Sequence, residues 1–167
     1  MPYILGLLGW SGSGKTHLLT RLLPAFRTRG LVVSTIKHAH HGFDLDQPGK
    51  DSYQHRAAGA QEVLIASSKR WALMHELDGP EPTLEELLAH LSPCDLVLVE
   101  GFKASSHPKI EVYRHGQDRP PFWPERSDVV AVASDVDLPQ CGLPVLTLDD
   151  ADSIANWCLD FLRENAQ

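Results

Sequence analysis

The stretch that decides the fold reads Gly9-Trp10-Ser11-Gly12-Ser13-Gly14-Lys15-Thr16, a GxxxxGK[ST] pattern with every defined position filled. It follows an apolar run at 3–8 (YILGLL) and precedes a helical stripe of Leu18, Leu19, Leu22, Leu23 and Phe26. A strand, a glycine-rich turn and a helix in that order give the pattern its physical meaning. Gly9, Gly12 and Gly14 permit tight backbone curvature and leave room for phosphate oxygens beside the main chain. Successive N–H groups then point inward at the start of a helix, whose partial positive end favours an anion. Lys15 supplies a full charge to the β and γ phosphates, and the Thr16 hydroxyl is placed to ligate Mg2+. The predicted cradle for a nucleoside triphosphate therefore comprises Gly9, Ser11, Gly12, Ser13, Gly14, Lys15, Thr16 and the adjoining His17.

Working outward, further short apolar runs stand at 31–36, 95–99, 128–133 and 143–147, each bounded by turn residues. Continuous apolarity over such lengths suits parallel strands covered on both faces. The β-prone runs 62–66 and 70–75 read as a hairpin side sheet. Residues 110–114 (IEVYR) read as a β segment outside the parallel core. Pro24 is expected to kink the first helix or end its regular part. Thr83 and Glu86 form a capping box ahead of Leu84, Leu87, Leu88 and Leu91, and Ile154, Trp157, Cys158, Phe161 and Leu162 share one face of a C-terminal helix. The fold class is thus α/β, a P-loop NTPase three-layer sandwich with a mostly parallel sheet plus a β-hairpin extension. Residues 1–167 read as a single domain.

Composition narrows the function class. The 167 residues carry 15 Lys plus Arg against 22 Asp plus Glu, a net charge of −7. That balance argues against a general nucleic-acid binder, whose affinity comes from many cation–phosphate contacts, but leaves room for one local basic pocket. No apolar run approaches the roughly 20 residues of a membrane span, and the opening MPYILGLLGW lacks the charged leader of a signal peptide. Cys94, Cys141 and Cys158 form no CxxC pair, so a reducing, cytoplasmic location is expected, with neither disulfide framework nor structural zinc.

Two further elements belong to the phosphate end. Residues 95–101 (DLVLVEG) form an apolar strand with Glu100 at its C-terminal end, the edge where α/β folds place ligands. Glu100 is the candidate Walker-B-like acid, and Asp95, at the opposite edge, reads as a turn or cap residue. The segment 37–51 follows the second strand and concentrates three histidines, three of its aspartates and two lysines. Three readings fit it: Lys37 and the acids touching the γ-phosphate and Mg2+ as a switch loop; His38, His40 and His41 with carboxylates holding a transition metal; or a solvated loop whose Asp51 caps the next helix through D-x-x-Q. No N/TKxD guanine motif occurs. Asp135, at the end of the 128–133 strand, stands where such an acid would read guanine, with a turn-forming role as the alternative. Arg114, Arg119 and Arg126 flank a Pro-rich loop, 114–127, that leaves a lid open as a reading.

Five ordered motifs carry a resemblance over nearly the whole chain: the P-loop at 10–16, IKHAHHGFDLDQPGKDS at 36–52, RWAL at 70–73, VEGFK at 99–103 and VAVASDV at 130–136. Together they resemble MobB, the molybdopterin-guanine dinucleotide biosynthesis adaptor family. The resemblance implies a GTP-binding P-loop protein with weak GTPase activity that forms homodimers. It implies work beside a MobA-type guanylyltransferase that joins GMP to molybdopterin, with contact to molybdopterin itself or to a molybdoenzyme left open. By position, Gly12 to Thr16 would cradle the GTP phosphates, and Thr16, Glu100 and Asp51 would serve Mg2+. His17 stands where many relatives have Thr or Ser. Two other classes compete: a small-metabolite kinase using the 37–51 loop for its acceptor, and a nickel- or zinc-handling GTPase using the three histidines. The hairpin, with Trp71 and Trp123, offers surfaces for a partner or a second copy. Lys103, after the Glu100 turn, reads equally as a contact to phosphate, cofactor or partner, and Trp157 reads as core.

Overall fold

Tyr3–Leu8 forms β1 and enters the middle of a six-stranded parallel sheet in the computed structural model, which describes residues 2–39 and 42–165. The backbone groups into two compact units, Met1–His38 with Leu87–Gln167, and Ala39–Glu86. In the first, β1 leads through the P-loop into helix α1 (Lys15–Thr28), and β2 (Val33–Lys37), β5 (Leu96–Glu100), β6 (Lys109–Tyr113), β7 (Val129–Ser134) and β8 (Val145–Thr147) complete the sheet before helix α4 (Ala151–Glu164). The order is β2-β5-β1-β6-β7-β8. Register pairs Leu5 with Leu98 and Leu7 with Ile110, so these side chains share one face.

That face is the core. Leu5, Leu7, Leu96, Leu98, Ile110, Val112, Ala131 and Ala133 pack against Leu18, Leu22 and Phe26 of α1 and Ile154, Ala155, Cys158 and Leu162 of α4. Each fully buried Leu or Phe contributes about 1.5–3 kcal/mol. Of the two outcomes expected at Pro24, a kink or an end, the end does not occur: α1 runs on to Thr28. Pro24 lies on the exposed side, while Leu22, Ala25 and Phe26 are buried, so packing carries the helix through to Thr28. Asp150 caps α4 by accepting from the Ser153 N–H at 2.9 Å. Asp95 serves the turn before β5, accepting from the Val32 N–H at 2.7 Å.

A second expectation is overturned at β6. The IEVYR segment lies inside the parallel sheet, between β1 and β7. It read as peripheral because Lys109 and Glu111 break its apolarity, yet both are buried, at 1% and 0% exposure. Lys109 pairs with Asp128 at 2.6 Å and donates to the carbonyls of Ser105 and His107. Asp128 is also gripped by Arg126. Glu111 accepts the N–H groups of Phe122 and Trp123 at 2.9–3.0 Å. Buried charge is tolerated here because every bond it needs is supplied by the chain. The result is that β6 fastens two loops, 101–108 and 114–128, to the sheet.

The second unit is built differently. Helix α2 (Asp51–Ala57) is followed by the antiparallel pair β3 (Glu62–Ala66) and β4 (Trp71–His75), with Val63 buried and Leu64, Ile65, Trp71 and Leu73 exposed. Asp51 does not cap α2. Lys50 occupies the N-cap, and Asp51 is the first helical residue, one position too late for its carboxylate to reach back. Asp46 orders the loop instead, accepting from the Gln47 N–H and the Ser52 hydroxyl at 3.0 and 2.9 Å. Arg56 binds Asp44 at 2.7 Å and Glu76 at 2.9 Å. The Thr83–Glu86 capping box forms as expected ahead of α3 (Leu84–Leu88). No helix among the described residues is long and apolar enough to cross a membrane.

Candidate nucleotide-binding site

The P-loop leaves β1 at Gly9, whose φ of 147° and crowding both demand glycine: a Cβ there would sit 2.6 Å from Ser13 Oγ and 2.7 Å from the Val112 carbonyl. Gly14, at φ 101°, is the N-cap of α1 and offers no side chain to its first turn. The N–H groups that a capping side chain would satisfy are therefore left for a ligand. Ser13 Oγ is buried without a hydrogen-bond partner. An orphaned buried hydroxyl inside a loop of this shape fits a phosphate oxygen as its missing partner.

Lys15 Nζ donates to the carbonyls of Gly9 and Trp10 at 3.0 and 2.9 Å, which folds its ammonium over the loop. Burial pulls that ammonium below its ordinary pKa. Glu100 raises it again, and the neighbouring charges of Lys103 and Lys37 lower it further. An arriving polyanion offsets the repulsion that Lys103 and Lys37 exert on this ammonium. Thr16 Oγ1 lies 3.4–3.5 Å from both Glu100 oxygens, and Lys37 Nζ lies 3.8 Å from Glu100. A hydroxyl and a carboxylate at this separation are hard oxygen donors suited to Mg2+. His17 is exposed on the first turn of α1, beyond the glycines.

The turn after Glu100 is tight. Gly101 has φ 100° and Phe102 has φ 47°, and a Cβ on Gly101 would clash with His38 Cβ. His38 packs on the Phe102 ring at 4.9 Å. The ends of β2 and β5 are thereby fixed together, which sets Lys37 beside Glu100. His40 and His41 lie outside the described residues. Among the described residues no group of three His, Cys, Asp or Glu side chains is arranged to hold a metal. Asp51 belongs to the second unit, exposed at the start of α2.

The 114–127 segment packs on the P-loop itself. Trp10 Nε1 donates to the Pro120 carbonyl at 2.8 Å, its ring stacks on Phe122 at 4.6 Å, and the Arg119 guanidinium stands 4.7 Å from its centroid. Lys103 lies 5.5 Å from the Trp10 ring, and Trp123 meets Tyr113 edge-on at 5.2 Å, so Trp123 packs within the chain. Beneath the segment, burial pushes the Glu111 carboxyl up from its ordinary pKa, while the Phe122 and Trp123 N–H bonds hold it down. Asp135 is found just beyond β7, its Oδ1 accepting the His115 N–H at 2.8 Å and its Oδ2 3.7 Å from Arg114 Nη1. Arg114 also donates from Nε to the Ser13 carbonyl at 3.2 Å. Sequence reasoning noted Arg114 only as flanking a loop. Its position after β6 was hidden once β6 was read as peripheral.

Comparisons with known proteins point to one family. A family model described as molybdopterin guanine dinucleotide synthesis protein B matches residues 4–135. The chain is similar to the molybdopterin-guanine dinucleotide biosynthesis adapter protein of Escherichia coli K12, 42% identical over 165 residues that cover 96% of this chain and 94% of that protein. The adapter protein of Haemophilus influenzae is 40% identical over 95% of this chain and 90% of its own length. Among solved structures, a crystal structure of molybdopterin-guanine biosynthesis protein B superposes with a TM-score of 0.77 at 31% identity, covering 95% of this chain and 99% of that one.

Proposed function

Because the chain belongs to the molybdopterin guanine dinucleotide synthesis protein B family, we propose that it is a GTP-binding adapter assisting the attachment of GMP to molybdopterin. The observation that carries the nucleotide half of this reading is the uncapped N-terminus of α1, with Lys15 folded over the loop and Thr16 beside Glu100. In this reading the P-loop amides from Gly12 to Thr16 and the Lys15 ammonium bind the phosphates, with Ser11, Ser13 and His17 bordering them. Thr16 and Glu100 hold Mg2+, which neutralises charge between the phosphates, and Lys37 balances Glu100. Asp135 accepts from the N1–H and N2–H2 groups of guanine. Asp51, in the other unit, carries no part of this proposal.

The same geometry supports slow hydrolysis. Glu100 is shared by Thr16 and Lys37, so it serves the metal side rather than standing free as a base for water. The partner in this reading is a MobA-type guanylyltransferase. The exposed Leu64, Ile65, Trp71 and Leu73 of the hairpin support a homodimer formed through that unit. Three cysteines without a disulfide support a cytoplasmic working place.

Calorimetric titration with non-hydrolysable GTP and ATP analogues in Mg2+, beside Lys15→Ala, tests the reading. The expected result is GTP binding that ATP does not match, weakened about 100-fold, or roughly 3 kcal/mol, in the variant. ATP binding equal to GTP binding would sink the guanine assignment, and an unaffected Lys15→Ala would sink the site.

A further inference from the structure

Arg114 stands just beyond β6, and the strand order puts β6 between β1, which feeds the P-loop, and β7, which ends at Asp135. Its side chain bridges those two neighbours. Nε donates to the Ser13 carbonyl at 3.2 Å, and Nη1 lies 3.7 Å from Asp135 Oδ2. The guanidinium also rests against Gly14, where a Cβ would come within 3.2 Å of Nε and 3.4 Å of Nη2. The carboxylate of Asp135 has a second tether, the His115 N–H at 2.8 Å. Two consecutive residues therefore grip one carboxylate, and the first of them also grips the phosphate loop.

The direction of a bound nucleotide gives this bridge a use. Thr16, Glu100 and Lys37 gather on the β5–β2 side of the P-loop, which is the metal side. The nucleoside then extends toward β6 and β7, across the C-terminal edge of the sheet, where Arg114 and Asp135 stand. An aspartate on a loop has a short side chain free to turn in solvent. Recognition of a base needs its two oxygens aimed and held, since a fixed acceptor pair discriminates where a mobile one merely adapts.

We propose that Arg114 is a positioning residue that ties the Asp135 carboxylate to the phosphate loop, so that base selection and phosphate binding act as one unit. This rests on the GTP-binding reading above. Arginine is needed because its planar fork serves two partners at once; lysine carries the charge but not the fork.

The test is a double-mutant cycle read by calorimetry on three probes: a non-hydrolysable GTP analogue, its ATP counterpart and inorganic triphosphate, all with Mg2+. Arg114→Gln is expected to weaken GTP at least tenfold more than it weakens triphosphate, and to shrink the GTP-over-ATP preference. Arg114→Lys is expected to do the same. The Arg114→Gln, Asp135→Asn double variant is expected to bind GTP no more weakly than the weaker single variant. Equal losses on all three probes would make Arg114 a plain structural clamp and overturn the inference. So would additive losses, or full preference in Arg114→Lys. Should Arg114→Gln not fold, Arg114→Lys and the exposed Asp135→Asn carry the cycle. A wild-type protein that binds triphosphate but does not prefer GTP would overturn the guanine reading itself, a result distinct from the other outcomes.

Discussion

The two units of this chain are held together by opposite means. In the first, a parallel sheet presents a continuous apolar face to α1 and α4, with residues such as Leu5, Phe26, Ile110 and Ile154 at 0% exposure. In the second, Val63 is the buried residue of the hairpin, and the organising interactions are ionic: Arg56 with Asp44 and Glu76, and Asp46 with the Ser52 hydroxyl. A two-stranded sheet has too little interior to be stable by its own burial, and surface ion pairs add little. The lesson is one of division of labour. The first unit positions the P-loop, Glu100, Arg114 and Asp135, while the other keeps Leu64, Trp71 and Leu73 available on its surface.

The largest expected effect strikes the first unit at its buried charged seam. Asp128→Asn leaves Lys109 buried without its counter-charge, and breaking such a pair costs about 3 kcal/mol. Bonds from Arg126 and Lys109 hold the Asp128 carboxyl far below its ordinary value of 3.8. Its folded pKa is depressed, so its contribution is full above that ordinary value and is lost as pH falls below it. Glu111 works in the opposite sense, because burial raises its carboxyl. The readout is therefore the difference between wild type and Asp128→Asn in melting temperature, widest near neutrality and narrowing below about pH 4. A difference that stays constant with pH would show that the seam is not electrostatic.

Next in size is the test of the apolar hairpin. Trp71→Ser and Leu73→Ser, exposed at 65% and 44%, are expected to leave the melting of the core in place. In the proposed dimer they remove anchoring surface, and a buried tryptophan of this kind is worth about 2 kcal/mol or more. Sedimentation should show dimers dissociating at least tenfold more readily. An unchanged oligomeric state would remove the assembly role from this unit and blunt the contrast. Smaller again, Arg56→Gln should raise amide exchange across β3 and β4 without altering β1 and β5. Faster exchange in both units would mean that they do not behave independently.

What could be read in the sequence follows the same division. β1, β5 and the P-loop were legible because buried parallel strands are uninterrupted apolar runs and the glycines sit at fixed spacings. The Thr83–Glu86 box and the hairpin were legible because their signals are local. β6 was misread, since Lys109 and Glu111 look like surface residues until Asp128 and the Phe122 and Trp123 amides are found opposite them. That error concealed Arg114. The partners that make it informative, Ser13 and Asp135, lie 101 and 21 positions away in sequence, and no periodicity links residues that only the strand order brings together. Asp51 was placed one residue out of register with the cap, an error of the usual size at a helix boundary.

The smallest effect sharpens the contrast most finely, because it is local by construction. Thr83 Oγ1 accepts the Glu86 N–H at 3.2 Å, and Glu86 Oε2 accepts the Thr83 N–H at 2.7 Å. These reciprocal bonds, the backbone one first, draw the Glu86 carboxyl below its ordinary 4.5. Thr83→Ala removes one half of the box and is expected to cost about 1 kcal/mol, with Thr83→Ser restoring it because serine keeps the oxygen. α3 spans five residues, too few to hold itself without its cap. The loss should therefore show as faster exchange at Leu87 and Leu88 while the β1 and β5 amides keep their protection. The Glu86 half of the box fades as pH falls through the carboxylate range in wild type and variant alike, because both keep the backbone N–H at position 83. The Glu86 N–H bond to Thr83 Oγ1 does not titrate, so the difference left by Thr83→Ala should narrow in acid without closing. If instead the whole chain melts earlier, α3, which runs across the Glu86–Leu87 boundary of the two units, is coupled to the core.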